Sequence, residues 1–237
     1  MNRRTFLAAA PAGALLVSGL APVLAPQSAL AQTRVTADVV AARVQAFYEQ
    51  TRTVQARFQQ HYWHRVYQRT DSSSGQMSIQ RPGRIRFDYR SPAGKVLVSD
   101  GTTWTMYLPP EAGEANGQYA RGSSAAASTG ALGFLMGTAR LTDFRRALRA
   151  SSPSQPSHTD ALDLLPRRPD PHFRRIVVYV DNQAASLGVV RRVSIEDPDG
   201  NWNRFDFSDL RFNRELPADT FTFTPPSGAR EMSAPDA

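Results

Sequence analysis

Gly75-Gln76-Met77-Ser78-Ile79-Gln80-Arg81-Pro82-Gly83-Arg84-Ile85-Arg86-Phe87-Asp88-Tyr89-Arg90-Ser91-Pro92 is the stretch whose reading decides the fold. Gly83, Ile85, Phe87 and Tyr89 alternate with Arg84, Arg86, Asp88 and Arg90. A period of two places one set on each side of a strand, one side apolar and the other charged. Pro82 and Pro92 bracket that strand. Beyond it, residues 95–99 and 103–108 flank Asp100-Gly101, a tight hairpin turn. A second set begins at Arg175. Residues 176–180 are β-branched and aromatic, residues 189–195 carry alternating valine and arginine, and Asp197-Pro198-Asp199-Gly200 is a turn that leads into 202–207. Phe221 and Phe223 are expected to form a last short strand before Pro225-Pro226. Hairpin-linked neighbours imply an antiparallel sheet with one apolar and one arginine-rich face. A sheet of that extent has to curl or be covered.

One helix precedes the strands. Thr36 or Asp38 can cap it, and Val40, Val44, Phe47 and Tyr48 form an amphipathic stripe that ends near residues 51–53. The fold class is therefore α+β, mainly β. Residues 109–130, rich in Ala, Gly and Ser, read as a flexible loop of a length that is either functional or disordered. The loop runs into the short apolar segment Ala131-Leu132-Gly133-Phe134-Leu135-Met136. Such a pair suits a lid over an apolar cavity, and equally a surface insertion joined to a core helix. Residues 151–157 are a second Pro/Ser loop, and 231–237 a frayed tail.

The 237 residues include no cysteine, which excludes disulfides, Cys-ligated metals, a thiol nucleophile and lipidation on cysteine. Arg3 and Arg4 open an apolar stretch over residues 6–24 that is interrupted by Pro11 and Pro22. Ala29-Leu30-Ala31 supplies the small residues of a signal-peptidase site. Arg3-Arg4-Thr5-Phe6-Leu7 resembles the twin-arginine export motif, although the general secretory route could read the same signal. Cleavage near Gln32 would leave a single domain of 206 residues and lower the formal charge from +7 to +5. Of the 28 basic residues only Lys95 is a lysine. Dyads such as Arg145-Arg146 and Arg191-Arg192 do not make a one-sided patch on a strand, so nucleic acid is not an expected partner.

Catalytic constellations are scarce. His61 and His64 sit in a segment that reads as a strand, where an odd spacing separates them to opposite faces. His158 and His172 lie in Pro-rich loops near Asp160 and Asp170, but no serine occupies a G-x-S-x-G setting. No phosphate-cradling loop or paired-carboxylate motif is present. The expectation is a binding protein without cofactor or metal, not an enzyme. A hydrolase using His158 or His172 is the competing idea.

The quoted stretch also resembles a family pattern, G-x-h-x-h-x-R-P-x-x-h-x-h-x-Y-x-x-P with h apolar. Phe58-Gln59-Gln60 before it, Leu97-Val98-Ser99-Asp100-Gly101 with Trp104 and Tyr107 after it, and Phe221-Thr222-Phe223-Thr224-Pro225-Pro226-Ser227-Gly228 near the end keep the order of the same family. Together they resemble the periplasmic outer-membrane lipoprotein carriers, the LolA family, over roughly residues 38–228.

The resemblance implies an incomplete antiparallel β-barrel closed by the N-terminal helix and short lid helices, with a cavity for acyl chains. It implies a monomer that takes acylated lipoproteins from an inner-membrane ABC exporter to an outer-membrane acceptor, with only transient membrane contact. The usual acceptor is anchored through an acylated cysteine, which this sequence lacks. The resemblance assigns Arg81 to closing the lid. It makes Met77, Ile79, Ile85, Phe87, Tyr89, Trp104, Met106, Leu132, Phe134, Leu135, Val178 and Val193 candidate cavity residues. Related half-barrels bind another lipid or glycolipid, or sense envelope stress, and these are the alternative functions.

Overall fold

Thr36 starts the helix α1 (Ala37–Glu49) by accepting the Val39 N–H on its hydroxyl at 3.3 Å, and Asp38 lies in the first turn. Val40, Val44 and Tyr48 recur every four residues and are buried with Ala41. The chain leaves the helix at Thr51, whose hydroxyl donates to the Phe47 carbonyl at 2.8 Å. This computed structural model describes residues 35–123 and 140–233.

Two runs of hairpins follow. The first comprises β1 (Thr53–His64), β2 (Arg69–Gln80), β3 (Arg84–Ser91), β4 (Ala93–Asp100), β5 (Thr103–Leu108) and β6 (Gln118–Ser123). The second comprises β7 (Phe144–Leu148), β8 (Thr159–Pro166), β9 (Arg175–Asp181), β10 (Val190–Glu196) and β11 (Trp202–Phe212), with a two-residue β12 (Arg230–Glu231) at the end. They form one sheet in the order β12-β6-β5-β4-β3-β2-β1-β11-β10-β9-β8-β7. The runs join where β1 pairs antiparallel with β11, Phe58 opposite Phe207. The edges, β12 and β7, lie at opposite ends of that order, so the sheet is open. Apolar residues of β1–β3 and of β8–β11 nevertheless share one buried cluster with α1, so the sheet curls around its helix-bearing face.

Three sequence expectations meet a different structure. Phe221 and Phe223 form no strand, because this segment crosses the back of β3–β6 instead of pairing with an edge. The closing strand is β12, and it pairs parallel to β6 in an otherwise antiparallel sheet. Within the stretch read as a loop over 109–130, residues 118–123 are β6, paired with β5 from Thr103–Ser123 to Leu108–Gln118. Gly122 explains why so small-residued a segment belongs in the sheet. A Cβ there would meet the Trp104 indole nitrogen at 2.6 Å, so the ring lies where any side chain would clash. The export segment 1–31 and the apolar segment 131–136 lie outside the described residues.

Candidate functional site

Directly paired residues in a sheet share a face, so the register assembles the concave surface strand by strand. Ala56, Met77, Phe87, Leu97 and Met106 face one another across β1–β5, and Val54, Ile79, Ile85, Ser99 and Trp104 form the next row. On the other side of β1, Leu162, Val178, Val193 and Phe205 continue the same face. Nine of the twelve candidate cavity residues thus share one surface: Met77, Ile79, Ile85, Phe87, Tyr89, Trp104, Met106, Val178 and Val193. The other three, Leu132, Phe134 and Leu135, lie outside the described residues.

The centre of this surface is aromatic. Phe58 packs edge-on against Phe87 at 5.2 Å and Tyr89 at 5.0 Å, and Phe205 lies 5.7 Å from Phe87 and 6.4 Å from Phe207. Gly75 makes room for it. A Cβ at that position would stand 2.8 Å from the Phe58 ring and 2.1 Å from the Asp88 carbonyl oxygen, so the first glycine of the quoted stretch is a packing requirement. Sequence reasoning left Phe58, Phe205 and Phe207 off the cavity set. Alternation of Phe205 and Phe207 with Arg204, Asp206 and Ser208 was the available signal.

Arg81 sits where β2 turns into β3. Its backbone N–H donates to the Arg52 carbonyl at 2.8 Å, which fixes the residue beside the C-terminal end of α1. Partial burial pulls its pKa below the usual arginine range, while Glu49 stabilises the charge. Burial also pushes the neighbouring Tyr48 phenol well above its ordinary value, so that ring stays neutral. Arg81 Nε is buried and has no hydrogen-bond partner among the described residues. A buried guanidinium N–H without an acceptor is costly, and a carbonyl oxygen would relieve that cost.

The opposite end of the surface is a polar ledge. Tyr89 donates its hydroxyl to Gln60 Oε1 at 2.8 Å, and Gln60 Nε2 donates to Asn203 Oδ1 at 2.8 Å. Burial pushes the Tyr89 phenol up to about 12. The concave surface is therefore apolar through its middle, with Arg81 at one end and this ledge at the other.

The charged residues work elsewhere. Arg191 binds Asp181 at 2.7 Å while Arg192 binds Asp206, and Arg174 reaches Glu196 while Arg175 approaches Asp163. These two dyads are divided between separate carboxylates. His61 Nδ1 meets Ser72 Oγ at 3.0 Å and His64 Nε2 meets Asp71 Oδ2 at 2.8 Å, so the two rings are not gathered on one ligand. Asp170 accepts the backbone N–H of His172, and Asp160 takes Asn182 and Arg43.

A family model described as outer membrane lipoprotein carrier protein LolA matches residues 49–224, from the last residue of α1 to just past Phe223. The outer-membrane lipoprotein carrier protein of Chromobacterium violaceum is 29% identical over 195 residues, 81% of this chain and 86% of that protein. The protein of the same name from Methylibium petroleiphilum is 31% identical over 159 residues, 67% of this chain and 71% of its own length. A solved structure of a LolA superfamily protein from Nitrosomonas europaea aligns with 80% of this chain and 98% of its own at a TM-score of 0.44 and 16% identity. The matched range takes in β1–β11, every long strand of the curled sheet, and on that extent the chain belongs to the outer membrane lipoprotein carrier family.

Proposed function

We propose that this protein shields the acyl chains of lipoproteins on its concave face and carries them across the periplasm, from an inner-membrane ABC exporter to an acceptor at the outer membrane. Residues 1–31 act as the export signal in this reading, and the carrier performs no catalysis. The observation that carries it is the family match over 49–224, which coincides with the strands that build one continuous apolar surface. Each acyl methylene left in water costs about 0.8 kcal/mol, so a carrier needs a large non-directional surface and no chemistry. Among the described residues no helix is long and apolar enough to cross a membrane.

Arg81 is the latch of the empty state. Its unpartnered Nε and its forked donors suit carbonyl oxygens of a closing segment, and cargo would displace that contact. Closing and loading then compete for one surface, so an acceptor can drive release.

The test mixes the purified chain with a triacylated lipoprotein while detergent is removed. A soluble one-to-one complex is expected with the acylated form only. If the lipoprotein precipitates equally with and without the chain, or the non-acylated form binds as well, the proposal fails. Arg81→Leu should retain cargo when acceptor is added; release at the unaltered rate would count against the latch.

A further inference from the structure

Beside the polar ledge the concave surface carries Lys95, which has no ion-pair partner among the described residues. On the polar ledge, Tyr89, Gln60 and Asn203 satisfy one another. Lys95 does not share in this. Its ammonium stands 4.7 Å from the centroid of the Tyr89 ring, a cation–π distance, and no described carboxylate forms an ion pair with it. Lys95 lies two residues before Leu97 on β4, the side that faces Phe87 and Met106. It is half-buried, and desolvation lowers its pKa below the usual lysine range. Holding an unpaired ammonium partly out of water is unfavourable unless something meets it.

The residue type adds to the argument. Every other basic residue in the chain is arginine. An ammonium is a compact point charge with rotatable donors, suited to one oxygen atom, whereas a guanidinium favours planar, forked acceptors. Four residues of β3, roughly 13 Å at ~3.3 Å per residue, separate the ledge at Tyr89 from Ile85 towards the Arg81 end. The surface is thus amphipathic along its length.

We infer that Lys95 anchors the polar end of the ligand: with acyl chains laid along the concave surface, its ammonium donates to an oxygen acceptor at the head, a carboxylate or an ester or amide carbonyl. This rests on the acyl-carrier reading and names a subsite within it.

The test titrates the full chain with three amphiphiles that share one tail: palmitate, monopalmitoylglycerol and hexadecyltrimethylammonium. Palmitate should bind roughly ten-fold more tightly than the cationic amphiphile, with the ester between them. In Lys95→Met the three affinities should converge while tail binding persists. A second measurement avoids relying on that variant. Amine-reactive labelling read at Lys95 by mass spectrometry should slow several-fold when palmitate saturates the unaltered protein. Head-group preference unchanged in Lys95→Met, or labelling unaffected by bound palmitate, overturns the anchor and leaves the carrier reading standing. Failure of all three amphiphiles to bind overturns both.

Discussion

The two halves of the sheet are held from opposite sides. In the half formed by β7–β11, α1 lies against the concave side. Asp38 pairs with Arg146 of β7, the Tyr48 hydroxyl accepts the Val190 N–H of β10, and Phe47 packs 4.8 Å from Phe212 of β11. Leu162, Leu164, Ile176, Val178 and Val193 are completely buried there. In the half formed by β3–β6, β3 still buries Ile85, Phe87 and Tyr89 on the concave side, but β4 and β5 bury Val98, Thr105 and Tyr107 on the convex side, with Ser99 their one buried residue on the concave side. Leu97, Trp104 and Met106 on the concave side stay partly exposed. The segment after β11 makes the difference. It crosses the convex side as a strap, with Phe221 buried and Phe223 5.8 Å from Tyr107. One half is held by a helix inside, the other by a strap outside. The second arrangement covers the convex side of β4 and β5 and leaves Leu97, Trp104 and Met106 partly exposed on the concave side.

The sharpest way to break this contrast is to truncate matching inner residues in each half. Leu162→Ala removes a fully buried side chain from beneath α1 and should cost about 3 kcal/mol in urea unfolding. Met106→Ala, at a partly exposed inner position, should cost less than about 1 kcal/mol yet weaken acyl-chain binding. Equal losses from the two variants would show that both halves are packed alike and that the second is no ligand surface.

Arg86 tests the strap. Its Nε donates to both Asp88 oxygens at 2.9 and 2.8 Å, and its Nη1 donates to the carbonyls of Thr220 and Thr222 at 3.1 and 3.2 Å. Arg86→Ala strands those two carbonyls and should cost about 2 kcal/mol. Hydrogen exchange should rise over residues 217–232 and β5–β6 and stay slow in β8–β10. A uniform rise across the whole sheet would show that the halves are one cooperative unit.

The periodicities that show in the sequence are those of strands with one wet face. β3, with Ile85, Phe87 and Tyr89 between arginines, was legible because its two faces differ so much. β8 and β9 were harder to read. Leu164 and Leu165 are adjacent, as are Val177 and Val178, and the latter pair is buried on both sides, which erases the period-two signal in β9. The strap misled for the opposite reason. Phe221-Thr222-Phe223 alternates as a strand would, but the alternation records which side chains press against β5, and the backbone carbonyls go to Arg86. Arg81 stood out only through the family pattern, since no local period distinguishes a turn arginine whose Nε is buried. Lys95 was visible as the lone lysine, but its placement over Tyr89 depends on the irregular register between β3 and β4, which spacing alone does not reveal.

The smallest effect concerns the turn that joins β4 to β5 in the strapped half. Asp100 Oδ1 accepts the N–H groups of Thr103 and Thr102 at 2.8 and 2.7 Å. These hydrogen bonds, helped by nearby Arg84, hold the carboxyl below its ordinary value. A carboxyl lowered by folding adds stability that is fully present above its unfolded value, near pH ~3.9, and is lost as pH falls through the folded value. Asp100→Asn keeps an oxygen acceptor for both N–H groups but cannot titrate. Unfolding midpoints of the two proteins should therefore differ by a constant amount from neutral pH down to about pH 5, then draw together in acid. Because the turn belongs to the strapped half, the converging difference should appear in the fluorescence of Trp104 on β5 as well as in the far-ultraviolet signal of the whole sheet. A gap that stays constant into acid would mean that the turn draws its stability from Gly101 and the backbone alone, and that Asp100 contributes nothing through its charge.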